Sequence, residues 1–202
     1  QDWNADSRTR IDMSGDDDAK STDQRVTLGT TWGGSDWGIH VSSDVNYTLG
    51  GNADASMSIY EAYASADLMG YASLTAGRMA INNGSGALMS SRDWGTDRTT
   101  WEGMMFGLNL DMADVTIGYH RSNAGDGTDD AGNTWVNCGG EFSGWNVNLL
   151  YMTDEENADA ATGIDISGEI AGAGISASMN TDFEGDEMRV IGLTYAVNDD
   201  MG

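Results

Sequence analysis

From Trp37 to Tyr47 the chain keeps a two-residue beat, in which Trp37, Ile39, Val41, Val45 and Tyr47 alternate with Gly38, His40, Ser42, Asp44 and Asn46. Strict alternation puts the two sets on opposite faces of a β-strand. One face is apolar with an aromatic ring at each end, and the other carries groups that want water. A strand with lipid on one side and a wet lumen on the other has this sorting. The beat returns elsewhere. Trp3, Ala5, Thr9, Ile11 and Met13 share one parity, and Asn4, Asp6, Arg8, Arg10 and Asp12 the other. Arg25, Thr27, Gly29 and Thr31 alternate with Val26, Leu28, Thr30 and Trp32, and Trp145, Val147, Leu149 and Tyr151 with Asn146, Asn148, Leu150 and Met152. A soluble sandwich shares the period, but it turns its polar side to bulk solvent and has no reason to cap its apolar side with aromatic rings.

The alternating segments predict about twelve strands, over residues 2–13, 24–33, 37–48, 56–68, 71–80, 99–110, 113–122, 133–142, 144–153, 162–170, 173–181 and 187–197. The breaks between them alternate short and long. In an up-and-down meander successive connections lie at opposite ends of the sheet, so one end receives every tight turn and the other every long loop. Bacterial outer-membrane barrels have that asymmetry. The expected fold is therefore all-β, an antiparallel up-and-down transmembrane β-barrel forming a single domain over residues 1–202.

Composition agrees with this class. The chain has 202 residues, no Pro, 28 Gly, one Cys and a formal charge of −24, with a mean hydropathy of −0.41. No run approaches the roughly 20 apolar residues of a spanning helix, and long unbroken ladders need the backbone donors that Pro lacks. The first residue, Gln1, follows no basic-then-apolar leader, which fits either a removed signal peptide or none. Lone Cys138 excludes an internal disulfide framework. Nine basic against 33 acidic residues exclude nucleic acid as a partner, since such a surface repels phosphate.

The acids gather in the long breaks: Asp16, Asp17, Asp18 and Asp23 in the first, Asp154, Glu155, Glu156 and Asp159 in the fifth, and Asp182, Glu184, Asp186 and Glu187 around the last. They read as a solvated rim, or as ligands for divalent cations that bridge to lipopolysaccharide or order the loops. In the fourth break Asp126, Asp129 and Asp130 have the oxygen density of a calcium loop without its full ligand pattern.

The arginines follow another rule. Arg8, Arg10 and Arg25 fall on the polar parity of the first two strands, and Arg78, Arg92 and Arg98 flank or sit within the longest break. A guanidinium facing hydrocarbon at the midplane of a barrel costs about 2–4 kcal/mol, so these side chains are expected to face the lumen or lie at a rim. On a lumen wall opposite carboxylates they would set a transverse field that orients polar or anionic solutes. They would equally pair with neighbouring acids and stiffen the wall. The break at 81–98 is too long for a simple turn, and Leu88, Met89 and Trp94 give it apolar anchors. It is expected to fold inward and narrow the pore. Enzyme signatures are poor: His40 and His120 have no metal-site spacing, and no nucleophile elbow or phosphate-binding loop stands in a strand-to-helix context.

Four stretches carry a family resemblance: Tyr60-Glu61-Ala62-Tyr63, Leu74-Thr75-Ala76-Gly77-Arg78, Ser91-Arg92-Asp93-Trp94 and Arg98-Thr99-Thr100-Trp101-Glu102-Gly103. In their order the chain resembles the alginate-export and related porin-type outer-membrane barrels. The resemblance implies a passive channel for small hydrophilic or anionic solutes in the bacterial outer membrane, in contact with lipid and lipopolysaccharide. It implies Glu61, Arg78, Asp93 and Arg98 as pore or constriction residues, no cofactor beyond the calcium considered above, and a homotrimer. The chain ends at Val197-Asn-Asp-Asp-Met-Gly202 without a terminal aromatic residue. That ending allows either a small twelve-stranded barrel or the first strands of a barrel of 16 to 18, and the second is the expectation here, because an open sheet with an apolar face is unstable in a bilayer. A structural or adhesive β-rich surface protein, binding calcium or matrix through acidic loops, is the alternative.

Overall fold

The computed structural model describes residues 1–13, 21–51, 55–93, 95, 98–123, 132–155, 157 and 159–195. They form β1 (Asp2–Asp12), β2 (Ser21–Gly33), β3 (Trp37–Thr48), β4 (Ser56–Leu68), β5 (Ala72–Met79), β6 (Thr100–Leu110), β7 (Ala113–Asn123), β8 (Gly132–Phe142), β9 (Trp145–Asp154), β10 (Ala161–Ile170), β11 (Ala173–Thr181) and β12 (Glu187–Tyr195). Each strand pairs antiparallel with its neighbours in sequence, giving one up-and-down sheet in the order β1 to β12. The predicted meander is observed. Among the described residues β1 and β12 remain the two edges, so the sheet is open.

The tight turns share one end of the sheet. At three of them two consecutive residues have positive φ: Met69 and Gly70 (62° and 76°), Ser143 and Gly144 (53° and 83°), Ala171 and Gly172 (52° and 81°). Two left-handed residues in a row give the hairpin turn whose twist matches the flanking strands. Glycine takes the second place at no steric cost.

Register sorts the side chains. Arg8 faces Arg25, Thr27 faces Asp44, Ser42 faces Glu61 and His120 faces Asn133 across their strand pairs, so these residues share one face. The other face carries Trp3, Leu28, Ile39, Met104, Ile117, Leu149, Ile164 and Ile191, all well exposed. One irregularity interrupts the sorting. Between Ser42 and Ser43 the β3–β4 register shifts, because Ser42 faces Glu61 while Ser43 faces Ile59. Tyr60 is thus a bulge residue, and a bulge turns two successive side chains to the same side.

Residues 80–93, with Gly95, Arg98 and Thr99, lie across the polar face. Ser85 Oγ accepts hydrogen bonds from Ser178 Oγ at 3.1 Å and Asn180 Nδ2 at 3.2 Å on β11, and the Asp93 carbonyl accepts one from Arg25 Nη2 at 2.8 Å on β2. In a flat sheet the nine strand spacings from β2 to β11, at about 4.8 Å each, would separate these anchors by about 43 Å. The eight-residue path from Ser85 to Asp93 spans at most about 29 Å when fully extended. It is also doubled back, with Asn83 N–H donating to the Met89 carbonyl at 3.1 Å. The sheet therefore curves around the segment, and the polar face is the concave one.

A dry core lies beneath the crossing. Met89 is fully buried and packs in one cluster with Met79, Ile81, Trp101, Trp135, Leu150, Met152 and Ala161. His120, also fully buried, stacks on Trp135 and accepts its Nε1–H at Nδ1, 2.9 Å away. Tryptophan only donates, so Nδ1 of His120 is the unprotonated nitrogen.

Candidate functional site

The first strands hold the crossing segment through charge. Arg25, 1% exposed, donates to the carbonyls of Asp93 and Gly95 and to Asp6 Oδ2 at 3.4 Å. Arg98 grips Asp44 with two nitrogens, Nε to Oδ2 at 2.9 Å and Nη2 to Oδ1, and also donates to Thr27 Oγ1 at 3.1 Å. Thr27 Oγ1 donates to Asp44 Oδ1 at 2.6 Å. Both members of the ion pair are more than nine-tenths buried, which makes it a costly arrangement unless each remaining lone pair and proton is met. The Arg98 guanidinium also lies 3.1 Å above the centre of the Tyr60 ring, a cation–π contact. Tyr60 Oη in turn donates to Asp93 Oδ1 at 3.2 Å, and Ser91 Oγ to the same oxygen at 2.6 Å.

The bulge makes this arrangement reachable. It sends Tyr60 to Asp93 and Arg98, and Glu61, next in the chain, to the same face. Glu61 Oε1 accepts the N–H of Ala80 at 3.1 Å, where β5 has just ended. Its other oxygen accepts from Ser42 Oγ at 3.4 Å and stands 3.5 Å from His40 Nε2. His40 meets Thr31 Oγ1 at 2.8 Å through Nδ1 and stacks on Tyr63, ring centres 5.1 Å apart. One carboxylate thus ties the entry of the segment to two strands of wall. Within the segment, Asn82 Oδ1 accepts the Ser91 N–H at 2.8 Å and joins its two limbs.

The residues expected from sequence divide into three groups. Arg25, Glu61, Asp93 and Arg98 come together on the concave face, each bonded across the boundary between wall and segment. Arg8 and Arg10 face the concave side with less constraint: Arg8 pairs with Asp6 at 2.9 Å and keeps a third of its side chain exposed, and Arg10 is exposed. Arg92 is exposed in a left-handed turn with φ at 52°. The expectation for Arg78 as a pore residue is corrected by register. Arg78 faces Ala62 on one side and Glu102 on the other, in the row of Leu74 and Phe106, and so lies on the convex face. It sits next to last in β5, near the end of the sheet that carries the longer connections.

Asp44, Tyr60, Asn82 and Ser91 were not singled out by sequence as site residues. A signal for Tyr60 exists in the neighbouring large polar side chains of Tyr60 and Glu61, which break the two-residue beat of β4 as a bulge does. Asp16, Asp17, Asp18, Trp94, Asp97, Glu156 and the calcium candidates Asp126, Asp129 and Asp130 lie outside the described residues. Among the described residues no group of three or more His, Cys, Asp or Glu is arranged to hold a metal. Asp182 is used locally, its Oδ1 accepting the N–H groups of Glu184 and Asp186 at 2.9 Å each.

Two cavities flank the crossing. One, of about 660 Å³, is lined by Arg8, Arg10, Asp23, Arg25 and Gly95. The other, of about 760 Å³, lies against Gly84 and Ser85 on the far strands, where Asp114, Glu141 and Asp165 supply its charge. The concave face therefore gathers its arginines at β1–β2, where Asp6, Asp12 and Asp23 stand among them, and carries acids alone around the cavity at β7–β10.

The sequence matches no family model and no curated protein. Solved structures do match. OccD3 (OpdP) of Pseudomonas aeruginosa superposes with a TM-score of 0.59 at 14% identity, over 88% of this chain and 46% of that one. A mutant porin of Rh. blastica gives a TM-score of 0.35 at 11% identity, over 95% and 98%. The fold is the up-and-down antiparallel strand arrangement of a porin-type β-barrel, here an open sheet. The chain spans 46% of the length of OccD3, and none of these comparisons supports the alginate-export family in particular.

Proposed function

We propose that this chain builds wall and constriction of a bacterial outer-membrane channel for small hydrophilic or anionic solutes, with segment 81–98 narrowing the lumen. The observation that carries the reading is the crossing itself: a segment pinned on both flanks of a curved sheet, leaving a polar cavity on each side. Arg8, a third exposed beside Asp6, and Arg10, exposed, line the near cavity, and the acids of the far wall face them. Such opposed charge orients polar solutes as they pass. In this reading the twelve strands belong to a larger barrel of 16 to 18, in line with the partial coverage of OccD3, and further strands pair with the edges of β1 and β12. The convex face meets lipid. Its charged row of Arg78, Glu102 and Arg121 lies at the long-loop end, where lipopolysaccharide headgroups would stand, and homotrimers are the assembly in keeping with the fold. The adhesive alternative gains nothing from a porin-type fold.

The test is conductance of full-length protein in planar bilayers. Discrete steps are expected, and replacing Arg8 and Arg10 with glutamine should shift ion selectivity toward cations without abolishing current. Folded, heat-modifiable protein that carries no current overturns the reading.

A further inference from the structure

Arg78 points away from the concave face, yet it is bonded to the backbone that shapes that face. The β4–β5 ladder runs from Leu68↔Ala72 to Ala62↔Arg78 and stops there. Beyond it Glu61, Tyr60 and Ile59 have no register partner on β5, which ends at Met79, where the chain leaves the sheet. Buried or bent backbone at the end of a ladder needs substitute partners. Two side chains supply them. Glu61 accepts the N–H of Ala80, as described above, and Arg78 Nη1 donates to the Ile59 carbonyl at 3.0 Å. Arg78 is held in turn by Glu102, to which Nε donates at 2.7 Å and Nη2 donates as well.

Ile59 is the residue before the bulge. A guanidinium fixed on β6 by Glu102 and bonded to that carbonyl ties three strands together where the register shifts. The bulge turns Tyr60 and Glu61 to the same side, and those two side chains hold Asp93, Arg98 and the Ala80 N–H. We propose that Arg78, from the outer face of the wall, sets the position of the crossing segment inside it through the Tyr60 bulge. It is a positioning residue for the constriction, and this role rests on reading segment 81–98 as that constriction. Lysine is a poor substitute, since a single ammonium lacks the planar fork that reaches Glu102 and the carbonyl together.

Ser91 reports on the segment, being fully buried between Asn82 and Asp93. In the full-length chain carrying Cys138→Ser and Ser91→Cys, maleimide labelling of folded protein should be slow. Adding Arg78→Met should raise its rate by about tenfold or more, and Arg78→Lys should raise it less, because labelling follows the population in which the segment has opened. Arg189→Met, which removes a convex-face guanidinium far from the bulge, should leave the rate unchanged. If Arg78→Met does not fold, Arg78→Lys decides. A rate unchanged in every variant that folds overturns the proposal, and so does an equal rise with Arg189→Met. Labelling reads the segment without current. Faster labelling at unaltered conductance therefore supports the positioning role while overturning the segment as a constriction.

Discussion

On β2, β3 and β4 the crossing segment is held by charge: Arg25 on the carbonyls of Asp93 and Gly95, Arg98 on Asp44, Tyr60 on Asp93. On β6, β8, β9 and β10 it is held by contact, with Met89 and Ile81 sunk among Trp101, Trp135, Leu150, Met152 and Ala161. The two attachments do different work. Apolar burial is non-directional and tolerates small shifts, whereas a buried two-nitrogen grip has one geometry. The charged side therefore fixes where the segment lies, and the apolar side supplies adhesion. An account based on either side alone would leave a segment that is stuck but misplaced, or placed but loose.

The largest break in this comparison comes from the charged side. Asp44→Asn leaves the Arg98 guanidinium buried without its counter-charge, which costs about 3–5 kcal/mol. Combining it with Arg98→Met should return at least half of that loss, because no charge is then stranded. Denaturant unfolding of the wild type, both single variants and the double variant forms a cycle that checks this. Losses that simply add would show that Asp44 and Arg98 do not act as a unit.

On the apolar side Met89→Ala should cost about 2–4 kcal/mol through the cavity it leaves, with ion selectivity unchanged because no charge moves. The contrasting pair is Arg8→Gln with Arg10→Gln, which should alter selectivity while shifting stability by no more than about 0.5 kcal/mol, as surface substitutions do. Unfolding midpoints and reversal potentials together separate the two. A selectivity change from Met89→Ala would mean that adhesion, too, sets the geometry of the pore.

Much of this wall is legible in the chain. Alternation located all twelve strands, and the order of short and long breaks gave the meander, since both follow from the period of two and from connections at opposite ends of a sheet. The apolar attachment left a trace that parity alone misreads. Leu149, Leu150, Tyr151 and Met152 are apolar on both parities, the pattern of a strand covered on both faces. Leu150 and Met152 meet the crossing segment, in one cluster with Met89 and Ile81. The charged attachment was only half visible. Arg25, Asp93 and Arg98 stood out as charges in a strand and a long break, but which acid each would meet depends on the curvature that brings β2 and β3 under residues 93–98. Arg78 was misplaced because a charge beside a long break fits either face, and only the register with Ala62 and Glu102 tells them apart.

The third attachment, at β11, sharpens the comparison because it is polar and uncharged, and Ser85 on the segment side of it is exposed. Ser85 accepts from Ser178 Oγ and from Asn180 Nδ2, and Asn180 has a second partner in Ser178 Oγ at 2.7 Å. Removing the Ser85 hydroxyl therefore leaves Asn180 a second acceptor, and the half-buried Ser178 hydroxyl can turn to water. Ser85→Ala should cost only about 0.5–1 kcal/mol, the net worth of an ordinary hydrogen bond, against the several expected at Asp44. Denaturant midpoints measured alongside the Asp44 variants test this directly. A loss at Ser85 as large as that at Asp44 would mean that the segment is suspended between its two ends, and that the charged grip is one tether of two rather than the feature that places it.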